Sequence, residues 1–402
     1  MKPGSTFVEA LRQDARIEAR HLLSWWSSHM VDEVCGGFWG EVDFDDKPVP
    51  QAPKSAILTT RLLWFFSAMA GYLASDDALQ LAHRAANYVK TYFLDTEHGG
   101  IWWLLDPKGQ VLDAKKQAYA QAFAVYAFAE YYHATGDQTG LMLARQLQRE
   151  IDERFWDPGR GGYIEATSAL GFPAQNQRLS EKDADQPKTM NTHLHILEAY
   201  TRLHHVAPDE VSNAALSRVL NLFLERFVDQ THHNLKLFFD LDWQDHSEAV
   251  SFGHDIEASW LIWEAAVALN EPDLMARVKI VSLDLAREVL RRGTKADGGL
   301  CYERHFSGDV DRAGEWWGQA EGLVGFINAW ELSGDIAFLH AAEALWLHTR
   351  EQFGAGGTEE WTWYAKDSGR DLTYKAGMWK CPYHNGRAMM ELDRRLKRAR
   401  LK

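Results

Sequence analysis

Six times along the chain a short, turn-rich stretch carrying aromatics sits between two helical patterns. Glycine pairs mark five of these stretches, at Gly36-Gly37, Gly99-Gly100, Gly161-Gly162, Gly298-Gly299 and Gly356-Gly357, as in "GGFWGEVDFD" and "GGLCYERHFSGD". The gap between the third and fourth pairs is about twice the others, and it holds "HHNLKLFFDLDWQ", a sixth unit with His-Asn in place of Gly-Gly. Short alternating runs bounded by polar turns predict small β-hairpins. The segment after each hairpin, such as "PKSAILTTRLLWFFSAMAGYL" or "EWWGQAEGLVGFINAWEL", is apolar nearly all round and predicts a buried helix. The segment before it, such as "RVLNLFLERF", predicts an amphipathic helix. Six such units make roughly twelve helices, and the simplest closed arrangement is two concentric rings. The expected fold is therefore all-α, an (α/α)6 barrel with short β-hairpins in the loops at one end, with residues 1–402 forming a single domain. An open solenoid of helix pairs is the alternative. It gives no reason for every inner helix to open on polar residues, whereas in a barrel those openings converge on one pocket.

The bulk properties narrow the function. With 402 residues and 46% hydrophobic composition the chain can bury a large core. Its 43 basic against 57 acidic side chains, a net charge of −14, argue against nucleic acid or an anionic membrane as partner. The C-terminal cluster "RRLKRARLK" follows a helical pattern and reads as cations complementing a helix dipole. Cys35, Cys301 and Cys381 are odd in number and far apart, which speaks against a disulfide framework and for a reducing compartment. The N-terminus has no apolar signal core and no run of 18 apolar residues occurs, so a soluble, cytoplasmic monomer is expected. Many of the 17 tryptophans sit beside Gly, Asp, Glu or His, a placement that suits a cleft stacking flat ligands or sugar rings.

Titratable groups gather where the inner helices begin. In "SFGHDIEASWLIWEAA" His254 and Glu257 are three apart and share a helical face, while Asp255 reads as an acid near a helix N-terminus. In "NTHLHILEAY" Asn191 and His195 share a face, and His193 points elsewhere, so a two-histidine metal clip is not expected. There is no HExxH, no paired CxxC, no phosphate-cradling glycine loop and no GxSxG elbow. His195, His254 and His384 remain, each in the first turns of an inner helix. Any one alone reads as a core histidine bonded to a carbonyl; three in equivalent positions read as proton carriers. Arg61, inside "TTRLLWFF", requires an anionic or oxygen-rich partner, either a glutamate or a ligand. Histidines, a buried arginine and aromatic walls suit proton abstraction beside a carbonyl. The rival is glycoside hydrolysis with Glu257 and Glu321 as the two carboxyls, which leaves the histidines without a task.

The segments "KTMNTHLHILEAYTRL", "FGHDIEASWLIWEAA", "GEWWGQAEGLVGFINAW" and "WKCPYHNGRAMMEL" closely resemble the cellobiose 2-epimerases of the N-acylglucosamine 2-epimerase superfamily, and the similarity runs the length of the chain. The resemblance implies an isomerase, a sugar 2-epimerase acting at the reducing end of β-1,4-linked disaccharides through a cis-enediolate. It implies His254 and His384 as the acid/base pair, His195 as a third essential histidine, Arg61 as the enediolate stabiliser and Glu257 as the group positioning His254. Tyr119, Asn191, Trp316 and Trp379 would line the sugar subsites, with Asp183 and Glu321 as further polar contacts. It implies no metal or organic cofactor, and a small sugar as the only partner. Monosaccharide-acting relatives, the mannose 2-epimerases and aldose–ketose isomerases, share much of this wording, and a non-catalytic sugar-binding protein is the more distant alternative.

Overall fold

The computed structural model describes residues 5–370 and 374–399. Among them are twelve α-helices: α1 (Ser5–His29), α2 (Ala56–Leu73), α3 (Asp76–Tyr88), α4 (Ala118–Thr135), α5 (Gln138–Arg154), α6 (Met190–Val206), α7 (Glu210–Leu222), α8 (Phe252–Leu269), α9 (Pro272–Glu288), α10 (Trp316–Ser333), α11 (Ile336–Phe353) and α12 (Tyr383–Ala399). The even-numbered helices form the inner ring. Each packs on the next, and α12 packs back on α2. Each odd-numbered helix from α3 to α11 lies against the inner helix before it, and α1 lies against α12. The inner ring closes and every outer helix is seated on it, which makes the fold an (α/α)6 barrel and removes the solenoid alternative.

Burial follows ring membership. In α2 every residue from Ala56 to Ala70 is buried, and over its 18 residues the mean hydropathy is 1.3 because its side chains fill the barrel interior. The inner helix α12 departs from the expected all-round apolar character, since its buried face carries Arg387 and Arg395. Arg395 bonds Glu264 and Glu331 at 2.6 and 2.8 Å, so the C-terminal basic cluster is partly an ion-pair network and not only a dipole complement. Residues 400–402 of that cluster lie outside the described residues. All three cysteines are unpaired.

The hairpins crowd one end and are themselves stitched into a ring. The short strand before each inner helix pairs antiparallel with the hairpin of the following unit: Lys54–Ser55 with Leu104–Leu105, Lys116–Gln117 with Ala166–Thr167, Lys188–Thr189 with Phe238–Phe239, and Ala249–Ser251 with Glu303–His305. Single bridges, Glu315 to Tyr364 and Val42 to Ala376, complete the circuit. At the turns the first glycine of the pair has a left-handed backbone, φ +81° at Gly36, +77° at Gly99 and +74° at Gly161. His233 takes the same conformation at φ +55°, which confirms "HHN" as the sixth unit and shows what the missing glycine costs it.

A repeated side-chain device locks four of the hairpins to their helices. The fourth residue of α4, α6, α8 and α10 accepts a hydrogen bond from the backbone N–H just past the turn. Gln121 takes that of Ile101 at 2.8 Å, His193 that of Tyr163 at 2.8 Å, Asp255 that of Leu235 at 2.9 Å and Gln319 that of Leu300 at 2.8 Å. All four are buried. The device corrects the dipole reading of Asp255: burial pushes its carboxyl pKa well above the ordinary value, and its work is to satisfy a buried N–H.

Candidate active site

The first turns of the inner helices surround a cavity of ≈ 400 Å³ at the hairpin end. Its wall includes Arg61 from α2, Tyr119 from α4, Asn191 and His195 from α6, His254 and Glu257 from α8, Trp316 from α10, Trp379 from the loop before α12, and His384 at the start of α12. Asp183 reaches it from a segment between the third hairpin and α6, together with Leu179, Ser180, Glu181 and Lys182. Lys182 ties that segment across the mouth by an ion pair to Glu315, 2.9 Å away at the N-cap of α10. Asp183 is held by the N–H and hydroxyl of Ser180, at 2.9 and 2.5 Å. Glu321, expected among the polar contacts, does not reach the cavity wall. It lies behind His384.

Each of the three histidines has its Nδ1 engaged, which leaves Nε2 for the cavity the ring lines. His195 Nδ1 is 2.9 Å from Glu198, His384 Nδ1 is 2.7 Å from Glu321, and His254 Nδ1 is 2.7 Å from the Ser251 hydroxyl. The pairing of His254 with Glu257, expected from their spacing, is absent. Burial pushes all three pKa values down, that of His254 to about 3, with the His195 charge adding to it. For His384 the Arg61 and Arg387 charges act in the same direction as burial. Three neutral imidazoles therefore face one cavity near neutral pH, and each can accept a proton at Nε2 when its Nδ1 carries the hydrogen. His193 is the core histidine of the set. Its Nδ1 bonds the Thr189 carbonyl at 2.6 Å, its Nε2 accepts from Tyr163, and burial lowers its pKa to about 3.

The residues three positions after the histidines lie beneath them: Glu198, Glu257 and Arg387 follow His195, His254 and His384, and of the three Glu257 reaches the cavity wall. They meet at Arg387. The Arg387 guanidinium bonds Glu257 and Glu321 at 2.7 Å each, and also Glu198 and the Tyr383 hydroxyl. Burial alone would raise the Glu198 pKa, but Arg387 and the bond from His195 hold it down to about 2. Glu257 and Glu321 go the other way. Burial raises both, and for Glu257 the neighbouring Glu321 charge adds to the effect, as three carboxyls around one guanidinium require. Donor atoms of Glu257, Glu321 and His384 lie within 4.8 Å of one another, a spacing that could ligate a metal. Arg387 already bridges the two carboxyls, so the cluster is an ion-pair network rather than an open ligand set. Ser251, Glu198 and Arg387 escaped the sequence reading. The signal was present, because the i to i+3 spacing used for His254 and Glu257 recurs on α6 and α12.

Arg61 stands apart. Its Nη2 donates to the Tyr119 hydroxyl at 2.7 Å and its Nη1 reaches Cys381 Sγ at 3.7 Å, while the Phe123 and Tyr383 rings flank it at 4.2 and 4.7 Å. No carboxylate pairs with it among the described residues. A fixed positive charge on the wall, beside three proton acceptors, can stabilise an oxyanion formed when a proton leaves the neighbouring carbon. Trp316, Trp317, Trp363 and Trp379 supply flat apolar faces around it.

The chain matches the profile of the N-acylglucosamine 2-epimerase (GlcNAc 2-epimerase) family over residues 37–388. It is 40% identical to a cellobiose 2-epimerase of Bacteroides fragilis over 389 residues, 96% of this chain and 99% of that one. A cellobiose 2-epimerase of Dictyoglomus turgidum is 36% identical over 93% of this chain and 96% of its own. The solved cellobiose 2-epimerase of Bacillus thermoamylovorans B4167 superposes with a TM-score of 0.90 at 36% identity, covering 97% of this chain and 99% of that one. With its two rings of helices and this cavity, the chain belongs to the N-acylglucosamine 2-epimerase family.

Proposed function

We propose that the protein is a carbohydrate epimerase that interconverts the glucose and mannose forms of the reducing-end unit of β-1,4-linked disaccharides such as cellobiose. The observation that carries the reading is the convergence of three neutral histidines and an unpaired arginine on one cavity. The sugar ring opens, a histidine Nε2 removes the C2 proton, and the electron pair left on carbon delocalises onto O1 as a cis-enediolate. Arg61 stabilises that oxyanion. A histidine on the opposite side returns a proton to the other face of C2. His254 and His384 are the acid/base pair, and His195 assists ring opening. Glu257 serves this chemistry by holding Arg387 beside His384, rather than by positioning His254. Tyr119, Asn191, Asp183, Trp316 and Trp379 hold the sugar. The tryptophan walls and the kinship with cellobiose 2-epimerases support a disaccharide over a monosaccharide.

The glycosidase alternative fits poorly. Glu257 and Glu321 bond the same guanidinium nitrogen, and Glu321 stands off the cavity, so the two cannot flank a scissile bond. Incubation with cellobiose, mannobiose and mannose in D2O, followed by NMR, tests the reading. The C2 epimer of cellobiose should appear with deuterium at C2, and His254→Ala and His384→Ala should abolish both. Free glucose without epimer, or full exchange in either variant, would sink it.

A further inference from the structure

Ser251 occupies the N-cap of α8, with an extended backbone at φ −97° and ψ 106°, yet its side chain makes no capping hydrogen bond. At the N-caps of α2 and α6 the equivalent hydroxyls do cap. Ser55 accepts from the Leu58 N–H at 3.1 Å and Thr189 from the Thr192 N–H at 3.2 Å. An N-cap hydroxyl that forgoes this stabilising bond is committed elsewhere. Its oxygen lies 2.7 Å from Nδ1 of His254, the one hydrogen bond that reaches this ring among the described residues. The Trp317 ring packs on it at 4.7 Å between centroids, an approach made possible by Gly253, where a Cβ would meet Trp317 at 2.5 Å. His195 and His384 are instead backed by carboxyls.

We propose that Ser251 is a positioning residue for His254, its Oγ accepting the Nδ1–H and so fixing the tautomer whose Nε2 lone pair faces the cavity. The inference deepens the epimerase reading and rests on it for its kinetic consequence. Only this tautomer can work in both directions. When Nε2 takes the C2 proton, the ring becomes an imidazolium that keeps its Nδ1–H on Ser251, and returning the Nε2 proton to carbon restores the starting state. The tautomer with hydrogen on Nε2 can neither accept a proton from carbon nor give one up without forming an imidazolate. A hydroxyl, unlike the carboxyls behind His195 and His384, orients the ring without adding negative charge. His254 thus stays the least assisted base of the three, and the two groups of the acid/base pair are unequal.

The test uses Ser251→Ala and Ser251→Thr in the full chain. Nitrogen-15 NMR of histidine-labelled protein should show His254 protonated at Nδ1 in the parent and in Ser251→Thr, and a shift toward the Nε2–H form in Ser251→Ala. With cellobiose, Ser251→Ala should lose about 10- to 100-fold in kcat with KM within about twofold, and Ser251→Thr should recover most of it. Ser251→Ala loses no capping bond but leaves the buried His254 Nδ1 without its partner, so its melting temperature should fall by a few degrees while that of Ser251→Thr stays close to the parent. An unchanged tautomer in Ser251→Ala, or Ser251→Thr as impaired as Ser251→Ala, overturns the proposal. A parent protein that does not epimerise cellobiose refutes the epimerase reading instead, and the nitrogen-15 spectra still decide the role of Ser251.

Discussion

His193 offers a direct measure of how the barrel tolerates neutral buried imidazoles, because the chain contains its own control. On α4 and α10 the position is Gln121 and Gln319, whose Oε1 accepts the hairpin N–H and whose amide donates back to Ile101 and Leu300 carbonyls at 2.9 and 3.2 Å. His193→Gln should therefore rebuild the same lock on α6. His193→Ala leaves the Tyr163 N–H buried and unpaired, at about 1–3 kcal/mol, and removes a ring packed 4.7 Å from Phe227. With the void included, the alanine variant should lose about 3–5 kcal/mol and the glutamine variant less than about 1.5.

The pH dependence separates the two effects. Burial holds the folded-state pKa of His193 at about 3, against an ordinary value of 6.5. As pH falls the unfolded chain takes up the proton first. The stability contributed by keeping this ring neutral is thus intact above the unfolded value and is lost progressively as pH falls toward the folded one. At about 1.4 kcal/mol per unit, the drop from pH 7 to pH 5 amounts to about 2 kcal/mol from this residue. Urea unfolding of parent and His193→Gln, followed by tryptophan fluorescence across that range, reads the difference. Other buried histidines tilt both curves equally, so the glutamine curve should be the shallower by about 2 kcal/mol. Parallel curves would refute the assignment of a depressed pKa to His193. A glutamine variant as unstable as alanine at neutral pH would refute the idea of an interchangeable lock.

Three further outcomes follow from the same contacts. Asp255→Asn should stay within about 1 kcal/mol of the parent in thermal unfolding, since burial disfavours the charged carboxylate and an amide oxygen can still accept from Leu235, whereas Asp255→Leu should lose about 1–3 kcal/mol. Cys381→Asp would give Arg61 the carboxylate it lacks and should cut C2 deuterium exchange about 100-fold, while Cys381→Ser should retain it. Gly37→Ala combines a backbone at φ +65° with a Cβ 2.5 Å from the Tyr88 ring, and should lower the melting temperature by several degrees, at about 1–3 kcal/mol.

How much could be read from the chain depended on whether a feature repeats. The hairpin period and the apolar inner helices both recur, so ring number and closure are legible in the sequence. His195, His254 and His384 are legible for the same reason, each standing in the first turns of an inner helix. Contacts across the barrel do not recur in sequence. Nothing along the chain tells that Glu257 meets Arg387, 130 positions away, instead of His254 three positions away. Helical spacing says which side chains share a face; it does not say which neighbouring helix that face meets. Asp255 was misread because its partner, the Leu235 N–H, belongs to a backbone turn rather than to a side chain that a motif could reveal.

The two arginines of the site make the limit physical. Arg61 and Arg387 are both buried on inner helices, and by composition either could pair with any of several glutamates. Arg387 takes three of them and is neutralised, so its value to the site is geometric: it fixes Glu198 behind His195 and Glu321 behind His384. Arg61 takes none. A buried guanidinium without a counter-ion is costly, and here it is offset, among the described residues, by a tyrosine hydroxyl, a thiol and three ring faces, which leave its charge largely intact. That uncompensated charge is useful only when a negative charge appears beside it, which is what removal of a proton from C2 produces.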